Sequence, residues 1–100
     1  MEEYTMIENR HNDGIANAIA IDYDFDNLKT NRTAYWSKAY RELSKGQNIK
    51  LYITGLTPVL LEFLGEYAEL LRVLGGTKSI GAIHCMQYNL DAKSYFKIIL

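Results

Sequence analysis

The sequence predicts an α/β fold, a single domain in the order β-β-α-β-α-β-β with a mixed sheet and two helices. Three observations carry that prediction. The stretch 48–76 reads as strand, glycine turn and capped helix in succession. Between residues 18 and 88, β-rich runs alternate with runs of helical spacing, which is the pattern of right-handed parallel crossovers. The chain has 100 residues, 48% hydrophobic and 23% charged, which suits one globular core. The expected sheet has five strands, a parallel centre and antiparallel outer strands, with both helices packed against it. No repeat, low-complexity tract or linker divides residues 1–100 into further domains.

Tyr4 to Glu8 reads as a first strand, and Asn9 to Gly14 is turn chemistry throughout. Ala18 to Tyr23 reads as a second strand with Ile19, Ile21 and Tyr23 on one face, expected to pair with the first as a hairpin. Asp24 to Thr30 is a polar connection. Thr30 or Asn31 is then expected to cap a helix running through Lys45, with Trp36, Ala39, Tyr40 and Leu43 inward and Gly46 closing it. Ile49 to Ile53 alternates like a strand. Thr57 follows as a good N-cap, with Pro58 at the first helical position, where a missing N–H costs nothing. In this second helix the expected inner stripe is Leu60, Leu64, Tyr67, Leu71 and Leu74, with Glu62, Glu66 and Glu69 opposite, before Gly75 and Gly76. Ser79 to Tyr88 and Ser94 to Leu100 are the last two strands. In the former, His84, Met86 and Tyr88 share one face, and Ile83, Cys85 and Gln87 share the other.

Composition narrows function. A net charge of −1 excludes a general nucleic-acid or membrane binder, so an anionic ligand must be met by a local site. One cysteine, Cys85, allows no internal disulfide and suits a cytoplasmic protein. No segment is apolar enough to span a bilayer. Eight tyrosines pack ring-in and hydroxyl-out or stack on a flat ligand.

Chemistry gathers at one predicted place. Loops after parallel strands collect at the strands' carboxyl edge, where ligands of open α/β sheets bind. That edge brings together Arg10, His11, Thr54, Thr57, Tyr88 and Asn89, with backbone N–H groups at the start of the second helix aimed at an anion. Spacings for a metal site are missing: two histidines far apart and one cysteine make no HExxH or paired CxxC. Asp22, Asp24 and Asp26 read as solvated carboxylates, and His84 as a half-buried, hydrogen-bonded core histidine. Neither histidine has a serine and acid partner for a nucleophilic triad.

The unit strand–Thr54–Gly55–Leu56–Thr57–Pro58–helix resembles the strand-Gly-x-x-Pro-helix junction of small stand-alone CRISPR-associated ring nucleases, relatives of the CARF sensor domains. The surrounding order is similar as well, with hairpins expected at Tyr4 to Tyr23 and at Ile80 to Leu100. The resemblance implies a CARF- or Rossmann-like sheet, or a ferredoxin-like variant of it. It also implies a homodimer or higher oligomer that binds a cyclic oligoadenylate of type III CRISPR defence, the tetra-adenylate ring first, and cleaves it or only holds it. Ligand contacts would come from Asn9, Asn12, Thr54, Gly55, Leu56, Thr57, Pro58, Tyr88 and Asn89, and catalysis from Arg10, His11 and Thr57. One metal-using branch carries a histidine in the helix after this motif. Val59 to Leu74 has none, so the chemistry expected is metal-independent and cofactor-free, by attack of a ribose 2′-hydroxyl. A binding-only sensor or sponge, and a structural or protein-interaction domain, are the other classes.

Overall fold

A computed structural model describes residues 1–8, 14–53 and 56–100. The elements are β1 (Glu2–Ile7), β2 (Ala18–Asp24), β3 (Lys29–Arg32), α1 (Ala34–Ser44), β4 (Ile49–Ile53), α2 (Thr57–Leu74), β5 (Ile83–Asn89) and β6 (Ser94–Ile99). They form one six-stranded sheet in the order β3-β2-β1-β4-β5-β6. The four central strands are parallel and the two outer ones antiparallel. The expected α/β architecture therefore stands, with one strand more than expected.

Two strand assignments change. β1 and β2 pair in parallel, Thr5 beside Ala18 and Ile7 beside Ala20, rather than as a hairpin. Tyr4, Thr5, Met6 and Ile7 are all buried, so β1 is closed on both faces in the way central parallel strands are. The second change is β3, which occupies what reads as a polar connection. The Asp24 carboxylate accepts from the amides of Asp26 at 2.9 Å and Asn27 at 3.1 Å, tightening a turn that Leu28 completes at φ +52°. Thr30 and Asn31 are consequently strand residues, and the cap of α1 falls to Thr33, whose hydroxyl accepts from the Tyr35 amide at 3.1 Å.

β5 begins at Ile83 instead of Ser79. The backbone just before it is tied elsewhere: the Gly81 amide donates to the Leu43 carbonyl at 2.8 Å and the Ala82 amide to the Asn48 side chain at 2.8 Å. Only glycine fits there, because a Cβ on Gly81 would lie 1.8 Å from the Gln47 carbonyl oxygen. In β2 the ladder shifts between Ala20 and Asp22, which breaks the expected Ile19–Ile21–Tyr23 face and leaves Ile21 exposed.

Register defines two faces. Tyr4, Leu51 and Cys85 align in one row, and the Tyr4 phenol lies among Tyr35, Arg41 and Glu42 of α1, so this face is the helix-covered one. Burial and the nearby Glu2 carboxylate push the Tyr4 phenol up to about 12. From α1 come Trp36, Ala39 and Leu43, as the spacing predicts, with Tyr40 partly buried. Of the stripe expected inward in α2, Tyr67 is buried, Leu60 and Leu64 are partly buried against the core and Leu71 is exposed; Val59 and Phe63 complete the buried face, and Leu61 is exposed. The helix is apolar nearly all round, so aromatic packing chooses the face. Phe63 meets Trp36 edge-on at 5.0 Å and Tyr40 at 4.8 Å.

A polar clamp fixes α2 to β3 beside that stripe. The Arg32 guanidinium pairs with both Glu62 and Glu66 and lies 4.1 Å from the Trp36 ring centroid. Trp36 Nε1 donates to Glu66 at 2.8 Å, and the Thr30 hydroxyl donates to Glu62 at 2.6 Å. Glu62 and Glu66 thus sit next to the core stripe, not across the helix from it.

Candidate functional site

β1, β4 and β5 run in parallel, so Ile7, Ile53 and Asn89 end at one edge of the sheet. From β1 the chain passes to β2 on one side, and from β4 it passes through α2 to β5 on the other. In open α/β sheets ligands bind where the connections of adjacent parallel strands diverge, and the strand order puts that point between β1 and β4. The sequence places its candidate residues at this edge.

Of those candidates, Asn9, Arg10, His11, Asn12, Thr54 and Gly55 lie outside the described residues. Leu56, Thr57 and Pro58 open α2 at the end of β4, and Tyr88 and Asn89 close β5. Thr57 does not cap the helix. It is the first helical residue and exposed, while Leu56 holds the cap position and makes no side-chain cap bond. With Pro58 inside the first turn, the start of the helix shifts by one residue. Pro58 has no N–H, and the amides of Val59 and Leu60 both donate to the Leu56 carbonyl, at 3.1 and 3.3 Å. The first turn therefore offers one amide, that of Thr57, where the sequence suggests several. No acidic residue occupies that turn to compete with an anion.

Asn89 has structural work. Its side-chain Oδ1 accepts from the backbone amides of Asp91 at 3.0 Å and Ala92 at 3.1 Å, folding the β5–β6 turn. Tyr88 is 40% exposed, with its ring edge-on to Tyr95 at 5.2 Å; Tyr95 meets Tyr52 in the same way at 5.2 Å. Tyr52 and Tyr95 went unassigned in the sequence. Their positions share the parity of Tyr88 once β5 and β6 pair, which is the signal that finds them.

Other reactive groups are placed away from that point between β1 and β4. Cys85 is buried under the helices, and burial pushes its thiol up, which disfavours the thiolate a nucleophile needs. His84 is buried but lacks the expected hydrogen bond: its Nδ1 has no partner among the described residues. Burial and the charges of Lys97 and Lys50 hold its pKa below the ordinary value. Among the described residues no cluster of three or more histidine, cysteine or carboxylate side chains could hold a metal ion. The Asp22 carboxylate instead takes the Asn31 amide, and Asp24 its own turn. A cavity of about 870 Å³ lies at the opposite, amino edge of the sheet, where Glu2, Glu3 and Glu42 make it unsuitable for a phosphate. No helix among the described residues is long and apolar enough to cross a membrane. Comparison of the chain with protein-family models, with curated proteins and with solved structures gives no match.

Proposed function

We propose that the chain binds a cyclic oligoadenylate, the tetra-adenylate ring first, in the crevice at the carboxyl ends of β1 and β4. It then opens the ring by attack of a ribose 2′-hydroxyl on the adjacent phosphodiester. The observation that supports this reading is the divergence of connections between β1 and β4, with the exposed Thr57 and its amide beside the crevice and no carboxylate in that helical turn. The 2′-oxygen bonds to phosphorus as the 5′-oxygen leaves, giving a 2′,3′-cyclic phosphate end and a 5′-hydroxyl end. Arg10 and the Thr57 amide balance charge on the phosphorane, and His11 moves the proton from the attacking to the leaving oxygen. Asn9, Asn12, Thr54, Gly55 and Tyr88 hold the ring. Asn89 supports it through the turn it folds.

A twofold ligand suits a twofold dimer, in which one short motif acts twice. The dimer is part of the proposal. Its support is the exposed apolar surface of Leu61 and Leu71 on α2 and of Phe96 and Ile98 on β6. Sedimentation showing a strict monomer at micromolar concentration would remove it.

A binding-only sensor or sponge is the second reading. It is favoured by Thr57 being a poor acid–base group with a single free amide near it. Incubation with cyclic oligoadenylates of several ring sizes, with manganese and with chelator, followed by chromatography, separates the classes. Linear products support the enzyme, and retention of intact ring supports the sponge. No binding of any ring leaves a structural or protein-interaction domain.

A further inference from the structure

The sheet face turned away from the helices carries a second group of side chains. Register aligns Lys50 with His84 and Met86 with Lys97, and sets Tyr52, Tyr88 and Tyr95 further along that face. The three rings form one edge-on cluster, with Tyr95 5.2 Å from each of the others. His84 is 9% exposed, and its Nδ1 finds no partner among the described residues. Tyr4 Oη and Thr5 Oγ1 are also buried without a partner among the described residues, but of the three only His84 stands beside two lysines. Lys50 on β4 and Lys97 on β6 are close enough to His84 to disfavour its protonation. Glu3, on β1 beside Lys50, places a carboxylate on this face, and it accepts from the Tyr52 hydroxyl at 2.7 Å.

Two cations flanking an unpaired imidazole nitrogen select an anion. The tyrosines select a flat, apolar ring next to it. Tyr52 is two residues along β4 from Lys50, and Tyr95 two residues along β6 from Lys97, about 6.5 Å of strand in each case. That is the separation of phosphate and base within one nucleotide. Aromatic rings and lysines on an open sheet face are also how single-stranded nucleic acids are held, base on ring and phosphate on cation.

We propose that this face binds a nucleotide unit, with its phosphate between Lys50 and Lys97 against His84 and its base on the Tyr52–Tyr95–Tyr88 cluster. Because Nδ1 is buried, a turn of the His84 ring accompanies binding and brings its N–H to a phosphate oxygen. The unit is either a free mononucleotide or one residue of an RNA strand. The site is local, in keeping with a net charge of −1, and it shares only Tyr88 with the crevice.

The test is a titration of the full-length chain, following the His84 imidazole nitrogens by NMR. The probes are inorganic phosphate, adenosine 5′-monophosphate and short linear oligoadenylates. The nucleotide should shift the His84 signals saturably, raise the pH at which they titrate, and bind at least about tenfold tighter than phosphate, as base stacking requires. Lys50→Gln with Lys97→Gln should lower nucleotide affinity at least about tenfold and flatten the salt dependence. Tyr88→Leu, an exposed change, should weaken nucleotide but not phosphate. Affinity that rises with strand length assigns an RNA strand; affinity independent of length assigns the mononucleotide. An unmoved His84 with every probe, or a nucleotide no tighter than phosphate, overturns the proposal. So does a double-glutamine variant that binds within twofold of wild type. Thr57→Asp should leave these shifts unchanged, and their loss in that variant would place the nucleotide in the crevice instead.

Discussion

On one side of the sheet Tyr4, Leu51 and Cys85 line up beneath α1 and α2; one residue along the same strands, Thr5, Tyr52 and Met86 line up on the other side. The first row is fully buried, and its neighbours from the helices are Trp36, Phe63 and Tyr67. The second is closed over β1, where Thr5 and Ile7 are buried, but opens from β4 outward into Tyr88, Lys97 and Ile99. The helix-covered face is chosen for volume and ring packing. The open face keeps charge and aromatic surface together, although both are drawn from the same short strands. Stability should therefore reside on one face and ligand chemistry on the other or at the edge.

The sharpest way to break that division is to truncate matched aromatics. Phe63→Ala removes a ring that packs on Trp36 and Tyr40, and should cost about 3–5 kcal/mol. That is a large share of the roughly 5–15 kcal/mol available to a small domain. Tyr88→Ala on the open face should cost under about 1 kcal/mol, since the ring is 40% exposed. Urea denaturation of both variants checks this; equal losses would show that the open face is part of the core.

Next in size is the clamp that borders the covered face. Arg32→Ala removes a cation–π contact worth about 0.5–1 kcal/mol and two half-exposed ion pairs worth about 0–1 kcal/mol each. A total near 1–2 kcal/mol is expected, with Arg32→Lys rescuing little because the planar stack is lost. Denaturation midpoints at low and high salt check it, the ion-pair part being the portion that salt removes.

This clamp also marks where sequence reading reaches its limit. Lys29-Thr30-Asn31-Arg32 has no apolar alternation, and it becomes a strand because β2 pairs with it and Glu62 reaches it from 30 residues away. Parallel pairing of β1 with β2 was equally hidden, since Tyr4 to Ile7 and Ala18 to Ala20 alternate the same way in either sense. The inward face of α2 was read only in part, Tyr67 correctly and Phe63 not, because the helix is leucine-rich on most sides. By contrast Trp36, Ala39 and Leu43, the β4 strand and the parity of β5 were legible, because polar residues bracket the apolar ones there. Toward the carboxyl edge, the sequence placed the α2 start within one residue and Tyr88 near the end of β5. It mistook Thr57 for a cap, because a threonine before a proline looks the same one residue earlier or later.

Protonation separates the two faces by pH. His84 on the open face is held below the ordinary histidine value of 6.5 by burial first, then by Lys97 and Lys50. As pH falls below that value the unfolded chain takes the proton more readily than the folded one. Stability should therefore be complete above about pH 6.5 and decline below it. Glu62, beside the covered face, is held below the carboxylate value of 4.5 by the Thr30 hydroxyl first and then by Arg32, so its contribution is present above that value and lost as pH falls through its lowered one. Denaturation midpoints against pH should show two separate declines. His84→Gln should flatten the upper one alone; loss of both would mean that a single global event underlies them.

The smallest effect is expected at the edge where the faces meet. Thr57 is exposed, and it is not the cap of α2, so Thr57→Ala should change stability by no more than about 0.5 kcal/mol. Thr57→Asp places a carboxylate in a first helical turn that has none, and should stabilise the fold by about 0.3–1 kcal/mol through the helix dipole. The same carboxylate meets any phosphate approaching the Thr57 amide, so cyclic-oligoadenylate binding should fall as stability rises. Thr57→Asn supplies the control: similar in size to the aspartate but uncharged, it should retain binding. Opposite movement of stability and affinity in the aspartate variant would separate an anion-binding edge from a merely structural one. A variant that gains stability and binds the ring as wild type does would remove Thr57 from the site.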